Sequence, residues 1–82
     1  MITAFVLITV PSKRSAEVVE ALRKHSEVKE AAAVYGDTDL ILKLQAPSLV
    51  ELDQVIMDGI QSNPDVKTTR TYLVVEKLHW QQ

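Results

Sequence analysis

Apolar positions recur along the chain with two different periods, which predict four strands and two helices. An unbroken apolar run or an alternation of apolar and polar side chains is typical of a strand, and apolar spacings of three and four are typical of a helix. The predicted strands are residues 2–10, 28–35, 38–46 and 66–78. The predicted helices are residues 13–25 and a second one running from Ser48 to the Asn63-Pro64 pair.

Short polar side chains and proline mark the predicted helix ends. Ser12, directly after Pro11, is expected to be the N-cap of the first helix. Ser48 and Glu51 fit a capping box, in which the serine hydroxyl accepts a hydrogen bond from the Glu51 amide and the carboxylate reaches back to the Ser48 amide. Gly59 weakens the second helix but lets a neighbour approach closely. The predicted buried stripes are Val18, Val19 and Leu22, then Leu49, Leu52, Val55 or Ile56, and Ile60.

The second and third strands are predicted to form a β-hairpin around the tetrapeptide Gly36-Asp37-Thr38-Asp39. Gly36 adopts a positive φ without steric cost, and the two aspartates can accept hydrogen bonds from neighbouring backbone amides. The hydroxyl of Tyr35 lies beside them in sequence. No other turn in the chain collects as many polar groups, so this tip is the first candidate for a ligand site.

The order of elements is β-α-β-β-α-β, which predicts an α+β fold of the ferredoxin-like class, with residues 1–82 as a single domain. Right-handed crossover connections place both helices on the same face of a four-stranded antiparallel sheet.

Composition narrows the possible partners. A net charge of −2 and a pI of 5.6 argue against direct binding to nucleic acid, which needs a concentrated cationic surface. No apolar run approaches the ~20 residues that span a bilayer. The chain has no cysteine, which is compatible with a cytoplasmic protein. A chain of 82 residues builds only a modest core, so self-association is expected to supplement it.

The strands are apolar on their second face as well, and the two helices cover only the first. A second copy of the same sheet is the expected cover, which predicts a sheet-mediated homodimer. Trp80, in an otherwise polar tail, is expected to anchor a subunit contact.

The polar residues leave several interpretations open. Asp37 and Asp39 can stabilise the turn by accepting hydrogen bonds from backbone amides, bind the ammonium group of a ligand, or bind a divalent metal. The metal site is disfavoured because two carboxylates supply too few oxygen ligands. His25 and His79 have no nucleophile or metal-ligand spacing beside them. No cofactor, metal or catalytic residue is therefore expected. Thr69 and Thr71 project to the same side of the last strand and can line one pocket wall.

Three segments in this order resemble the effector-binding domain of the leucine-responsive regulator/asparagine-operon regulator (Lrp/AsnC) family, known as the RAM domain. They are TAFVLITV in the first strand, EVKEAAAVYGDTDLILKL in the hairpin and NPDVKTTRTYLVV at the end. The resemblance covers Met1 to about Lys77. Family regulators carry an N-terminal helix-turn-helix, whereas residue 1 here already begins the first strand, so the chain resembles a stand-alone version of the domain.

The resemblance implies sheet-mediated dimers that assemble into octamers or decamers, with free amino acids bound between dimers. Tyr35, Gly36, Asp37 and Asp39 would hold the amino-acid backbone, and the pair Thr69 and Thr71 of a neighbouring dimer would close the pocket. Thr38 stands where many members have an aromatic residue.

Three functions are consistent with the sequence. The first is a non-enzymatic, oligomeric amino-acid sensor that modulates transcription or amino-acid metabolism, including by mixed assembly with full-length regulators. The second is a small dimeric α+β barrel enzyme of the monooxygenase or isomerase type, which requires a closed apolar cavity holding an acid-base residue such as His25. The third is a purely structural assembly unit.

Overall fold

The computed structural model describes residues 1–11 and 13–82. Within these residues the elements are β1 (Ile2–Thr9), α1 (Ser15–Leu22), β2 (Val28–Ala33), β3 (Leu40–Ala46), α2 (Leu49–Gln54) with a π-helical continuation (Val55–Gln61), β4 (Thr68–Leu73) and a short 3₁₀ turn (Glu76–Leu78). The four strands form one antiparallel sheet of order β2-β3-β1-β4, with β1 inside it. The predicted β-α-β-β-α-β order and ferredoxin-like fold are confirmed.

The strand register decides which side chains share a face of the sheet. β1 pairs with β3 from Ile2 opposite Ala46 to Ile8 opposite Leu40, and with β4 from Ala4 opposite Leu73. Directly opposed residues project to the same side. The face that carries Ala4, Val6 and Ile8 is buried under the helices, and the face that carries Phe5 and Leu7 is open.

The core lies between the helix-side face of the sheet and the two helices. Its fully buried side chains are Ala4, Val6, Ile8, Leu40, Leu42, Leu44 and Ala46 of the sheet, with Val18, Leu22, Leu52 and Ile60 of the helices. The predicted stripe of the second helix is correct except at its first position. Leu49 is 47% exposed, because it stands in the first turn of α2, at the margin of the core.

The capping-box prediction is confirmed in one of its two hydrogen bonds. The Ser48 hydroxyl accepts from the Glu51 amide at 3.3 Å as predicted, but the Glu51 carboxylate accepts from the Ser48 hydroxyl and not from the Ser48 amide. In α1 the N-cap position is occupied by Arg14, which makes no side-chain capping bond. The predicted cap Ser12 lies outside the described residues. A hydrogen bond and an ion pair with Asp65 at 3.0 Å raise the pKa of the Arg14 guanidinium and tie the start of α1 to the segment before β4.

Gly59 permits the close approach that the sequence predicted. A Cβ built there would lie 2.9 Å from Nε2 of His25, so the imidazole ring packs directly on the glycine. Gly59 belongs to the π-helical segment, whose wider turn lets both Val55 and Ile56 reach the core. The choice between these two residues, open in the sequence, is resolved in favour of both.

Strand β4 is shorter than predicted. It ends at Leu73, and the Val74 amide donates to the Thr3 carbonyl near the start of β1. Residues 76–78, predicted as strand, form the 3₁₀ turn instead. Among the described residues, no helix is long and apolar enough to cross a membrane.

A candidate ligand site at the hairpin turn

The turn between β2 and β3 is held in an open shape by one glycine and one backbone hydrogen bond. Gly36 has a φ of +143°, a conformation that side-chain-bearing residues rarely adopt. The Val34 amide donates to the Asp39 carbonyl at 3.0 Å and closes the base of the turn. Between them, Tyr35, Gly36 and Asp37 are exposed. The sequence correctly placed a glycine-dependent reversal here.

Thr38 and Asp39 fasten this turn to the end of β1. The Asp39 carboxylate accepts from the Val10 amide at 2.8 Å, and the Asp39 amide donates to the Ile8 carbonyl at 3.0 Å. The Thr38 hydroxyl also donates to that carbonyl, at 2.8 Å. Asp39 is therefore engaged in holding the turn in place, whereas the Asp37 carboxylate accepts no hydrogen bond from any described residue.

A concavity of about 540 Å³ opens between this turn and the open face of the sheet. Its volume lies in the range of small-molecule sites in proteins, ~300–1,000 Å³. The lining residues come from the turn and from three strands: Leu7, Thr9, Val34, Tyr35, Gly36, Asp37, Thr38, Ile41, Thr68 and Arg70. Apolar side chains thus lie beside hydroxyls and two opposite charges.

The structure brings together half of the predicted site residues. Tyr35, Gly36 and Asp37 line the concavity, and Asp39 stands behind it as a support. Thr69 and Thr71 lie opposite Ile8 and Val6 in the sheet register, on the helix side, so they do not reach the concavity of their own subunit. They can contribute to such a site only from another copy of the chain, as the resemblance implied.

Sequence reasoning placed Thr38 in the candidate tip but missed Thr68 and Arg70 as members of this concavity. Strand alternation places Thr68 and Arg70 on the face opposite to Thr69 and Thr71, so the grouping was readable. The missing information was which of the two faces adjoins the hairpin turn, and this depends on the pairing of β4 with β1.

The rest of the open face has an apolar centre and a polar margin. Phe5, Leu7 and Ile41 are half-buried at the centre, and Tyr72 is 52% exposed beside them. Charged and amide side chains surround this centre: Glu30, Lys43, Gln45 and Arg70. The second face is therefore less uniformly apolar than its sequence suggested. An apolar centre with a polar margin is the usual composition of a protein interface.

A second cleft, on the helix side, holds His25. It is lined by His25, Glu27, Glu51, Gln54, Val55 and Asp58. This lining is mostly polar and acidic, which does not match the closed apolar cavity that the barrel-enzyme interpretation requires. Among the described residues, no group of three histidine or acidic side chains has the geometry to hold a metal ion.

Trp80 in the C-terminal tail is 79% exposed and Leu78 is 83% exposed. Neither residue packs on the core within the subunit. The prediction that Trp80 anchors a contact between subunits stays a prediction.

Comparison with known proteins identifies a family that matches nearly the whole chain. Residues 3–79 match the model of the Lrp/AsnC ligand-binding domain. The HTH-type transcriptional regulator FL11 of Pyrococcus abyssi is 36% identical over 73 residues, covering 89% of this chain and 48% of that protein. The leucine-responsive regulatory protein of Escherichia coli K12 is 33% identical over 58 residues, covering 71% of this chain and 35% of that protein. The chain thus spans about half of FL11 and about a third of the leucine-responsive protein.

A solved structure has the same fold over nearly the whole chain. The crystal structure of FFRP-DM1 is 40% identical, with a TM-score of 0.87, and the match covers 92% of this chain and 100% of that one. The hairpin turn and its concavity therefore lie on a framework shared with this family.

Proposed function

Since the chain belongs to the Lrp/AsnC ligand-binding domain family, we propose that it is a non-enzymatic module that binds a free amino acid in the hairpin concavity and changes its assembly in response. FL11 is described as a transcriptional regulator and the Escherichia coli relative as a leucine-responsive regulatory protein, which supports an amino-acid-sensing regulatory role.

The concavity beside the Gly36 turn is the observation that carries this proposal. It combines exposed backbone of the turn, the Asp37 carboxylate and an apolar floor, and these are the groups that recognise the charged backbone and the side chain of an amino acid. Thr38 and Asp39 hold the turn against β1, so the site is already formed before a ligand arrives. A preformed site loses less conformational entropy on binding.

The open face of the sheet supports the second half of the proposal. Its apolar centre and polar margin fit a second copy of the same face, which would give a sheet-mediated homodimer. Because the concavity opens on that same side, a bound amino acid would lie near the dimer seam. Higher assembly into octamers or decamers would bring Thr69 and Thr71 of a neighbouring dimer to the hairpin turn.

Regulation then follows from assembly. Full-length regulators of the family carry the same domain, and a shared dimer face would let this chain form mixed assemblies with them. Ligand-dependent formation of these mixed assemblies would modulate transcription of genes for amino-acid metabolism. This chain would not need to contact DNA itself. The net charge of −2 agrees with such an indirect role.

The proposal is tested by screening the purified chain against the standard amino acids. At least one should raise the melting temperature or shift the solution mass in sedimentation velocity, because a ligand that binds only the folded or assembled state stabilises it. No response to any amino acid would contradict the proposal.

A purely structural role is distinguished by a turn variant. Asp39→Ala is unsuitable for this purpose, because Asp39 supports the turn and its loss would change stability under either hypothesis. Asp37→Asn changes only an exposed carboxylate of the concavity. A sensor loses amino-acid response in this variant, whereas a structural unit shows the same behaviour as the unchanged chain.

A further inference from the structure

Strand β2 forms one edge of the sheet, and a groove runs between this edge and helix α1. β2 pairs with β3 on one side. Within residues 1–11 and 13–82 no strand pairs with its other side, so the outward backbone amides and carbonyls are open to a further strand. The groove has a volume of about 360 Å³ and is lined by Val19 and Arg23 of the α1 region with Val28, Lys29, Glu30 and Ala31 of β2.

The floor of this groove is apolar. Val19, Val28 and Ala31 are partly buried, and all three pack against the core. Ala31 and Ala33 lie on the helix side of β2. Their small side chains leave room for larger apolar side chains between β2 and α1.

A bulge limits where a further strand can be added. Val28 and Glu30 lie opposite successive residues of β3, so Lys29 is an extra residue in β2. Because a bulge interrupts the ladder of hydrogen bonds, regular pairing of an added strand is confined to residues 30–33. This length suits a short segment better than a whole strand of another sheet.

The C-terminal tail is a short segment of matching character. Leu78 and Trp80 are exposed, and His79 between them has extended backbone angles, with φ −91° and ψ 115°. In an extended segment, residues two apart project to the same side. The tail from Leu78 to Gln82 contains no Asp, Glu, Lys or Arg, so its docking on an apolar floor would bury no unpaired charge.

The tail of the same subunit does not occupy the groove. The register places Val28 of β2 and Leu73 of β4 at the two ends of one row across the sheet, three interstrand spacings of ~4.8 Å apart. The Leu78 amide donates to the Val75 carbonyl at 2.9 Å in the 3₁₀ turn, which holds the tail beyond β4. The groove and the tail are therefore complementary surfaces that two copies of the chain can bring together.

We infer that the C-terminal tail of one copy docks as a short added strand in the groove between β2 and α1 of another copy, with Leu78 and Trp80 on Val19, Val28 and Ala31. This inference rests on the proposed self-association and not on amino-acid binding. A segment this short does not bury the ~1,200–2,000 Å² of a stable interface, so the docked tail adds to the sheet contact rather than replacing it. Reciprocal exchange of tails closes a pair, whereas docking on a third copy links pairs into a larger assembly.

Trp80 reports directly on this contact, because it is the only tryptophan in the chain. In a dilution series followed by sedimentation velocity, its fluorescence maximum should lie at shorter wavelength in the assembled chain than in the monomer. Acrylamide should also quench its fluorescence less in the assembled chain. An assembled chain in which Trp80 emits and is quenched as in the monomer would overturn the inference.

Val19→Glu tests the groove. A charge on the apolar floor should return the Trp80 emission of the assembled chain to the longer wavelength of the monomer, while assembly through the sheet face persists. Val50→Glu on α2 is the same substitution at an exposed position outside the groove, and it should leave the emission of the assembled chain unchanged. Burial of Trp80 in assembled Val19→Glu would show that the tail docks elsewhere, and the inference would be wrong.

Disulfide trapping tests the same contact without any change on the floor of the groove. The chain has no cysteine, and Lys29 and Gln81 are both exposed. When the Lys29→Cys and Gln81→Cys variants are mixed and mildly oxidised, they should form a mixed disulfide dimer that mass spectrometry identifies. Asp53→Cys, exposed on α2, mixed with Gln81→Cys is the matched control and should form much less of it. Equal yields in the two mixtures would contradict docking of the tail beside β2.

The outcomes separate this inference from the proposed function. An amino-acid response combined with a solvent-exposed Trp80 in every assembled state would leave the sensor standing and remove the tail contact. A chain that stays monomeric at every concentration would also remove the tail contact, while the screen against amino acids would still decide whether the monomer binds one.

Discussion

The two aspartates of the hairpin turn, Asp37 and Asp39, have different roles, which residue type alone does not reveal. Asp39 accepts a hydrogen bond from the Val10 amide, and Val10 is 5% exposed, so this amide has little access to water. Asp37 is exposed and lines the concavity. The turn therefore has one carboxylate that supports its position and one that is free to bind.

Replacement of Asp39 by alanine should lower the free energy of unfolding by ~1–2 kcal/mol, because a shielded amide loses its acceptor. Asp39→Asn should cost less, since its amide oxygen can still accept. Asp37→Ala is the control and should change stability by less than ~0.5 kcal/mol. Urea unfolding followed by circular dichroism measures all three. Equal losses in Asp37→Ala and Asp39→Ala would refute the division of roles.

The contact between Gly59 and His25 predicts a coupling that a double-mutant cycle can measure. Alanine favours a helix over glycine by ~1 kcal/mol, but a Cβ at position 59 would collide with the imidazole ring. Gly59→Ala should therefore be at least ~0.5 kcal/mol more favourable in a His25→Ala background than in the unchanged chain. Additive effects of the two substitutions would contradict the close packing.

At the scale of the elements, the apolar periodicity predicted the type and order of the helices and strands well. It predicted their first and last residues less well. The hairpin, both helices and all four strands were readable because each has its own apolar spacing. The π-helical segment was not, since its wider turn depends on the fit of Val55 and Ile56 into the core rather than on a local residue preference. The end of β4 was also missed, because it depends on the long-range pairing of β4 with β1, which ends at Leu73 opposite Ala4.

Helix α2 depends on its N-cap at the point where the chain leaves β3. Ser48→Ala removes the acceptor for the Glu51 amide and should reduce stability by ~1 kcal/mol. In a domain of this size, that loss corresponds to a fall of roughly 4–8 °C in melting temperature. Ser26→Ala, in the exposed turn after α1, is the control and should melt close to the unchanged chain. An unchanged melting temperature for Ser48→Ala would show that the cap contributes nothing.

At the scale of the whole molecule, the open face of the sheet is the proposed contact between copies. Tyr72 lies on this face and is 52% exposed. A charged side chain at this position would be solvated in a monomer but buried without a partner in a sheet dimer, which is unfavourable. Tyr72→Glu should reduce the solution mass to that of a monomer in sedimentation velocity.

The matched control for this prediction lies on the helix side. Val50 in α2 is 72% exposed, and Val50→Glu should leave the mass unchanged. The reverse result, with dissociation by Val50→Glu alone, would place the subunit contact on the helices.

The candidate site was only partly predictable from sequence, because some of its residues are brought together by the pairing of distant strands. Tyr35, Gly36 and Asp37 are neighbours in sequence, so turn chemistry identified them. Arg70 reaches the same concavity only because β4 pairs with β1 beside the hairpin. Long-range register of this kind leaves no local signal, so a sequence identifies the residues of a turn more readily than the strand residues that face it.

The central claim is that an amino acid occupies the concavity between the hairpin turn and β4. Amide chemical shifts of the ¹⁵N-labelled chain, recorded during titration with the standard amino acids, test it most directly. We expect the largest shifts at residues 35–38 and at Thr68 and Arg70 for at least one amino acid. Shifts centred on the cleft around His25 and Asp58, or no shifts with any amino acid, would contradict it.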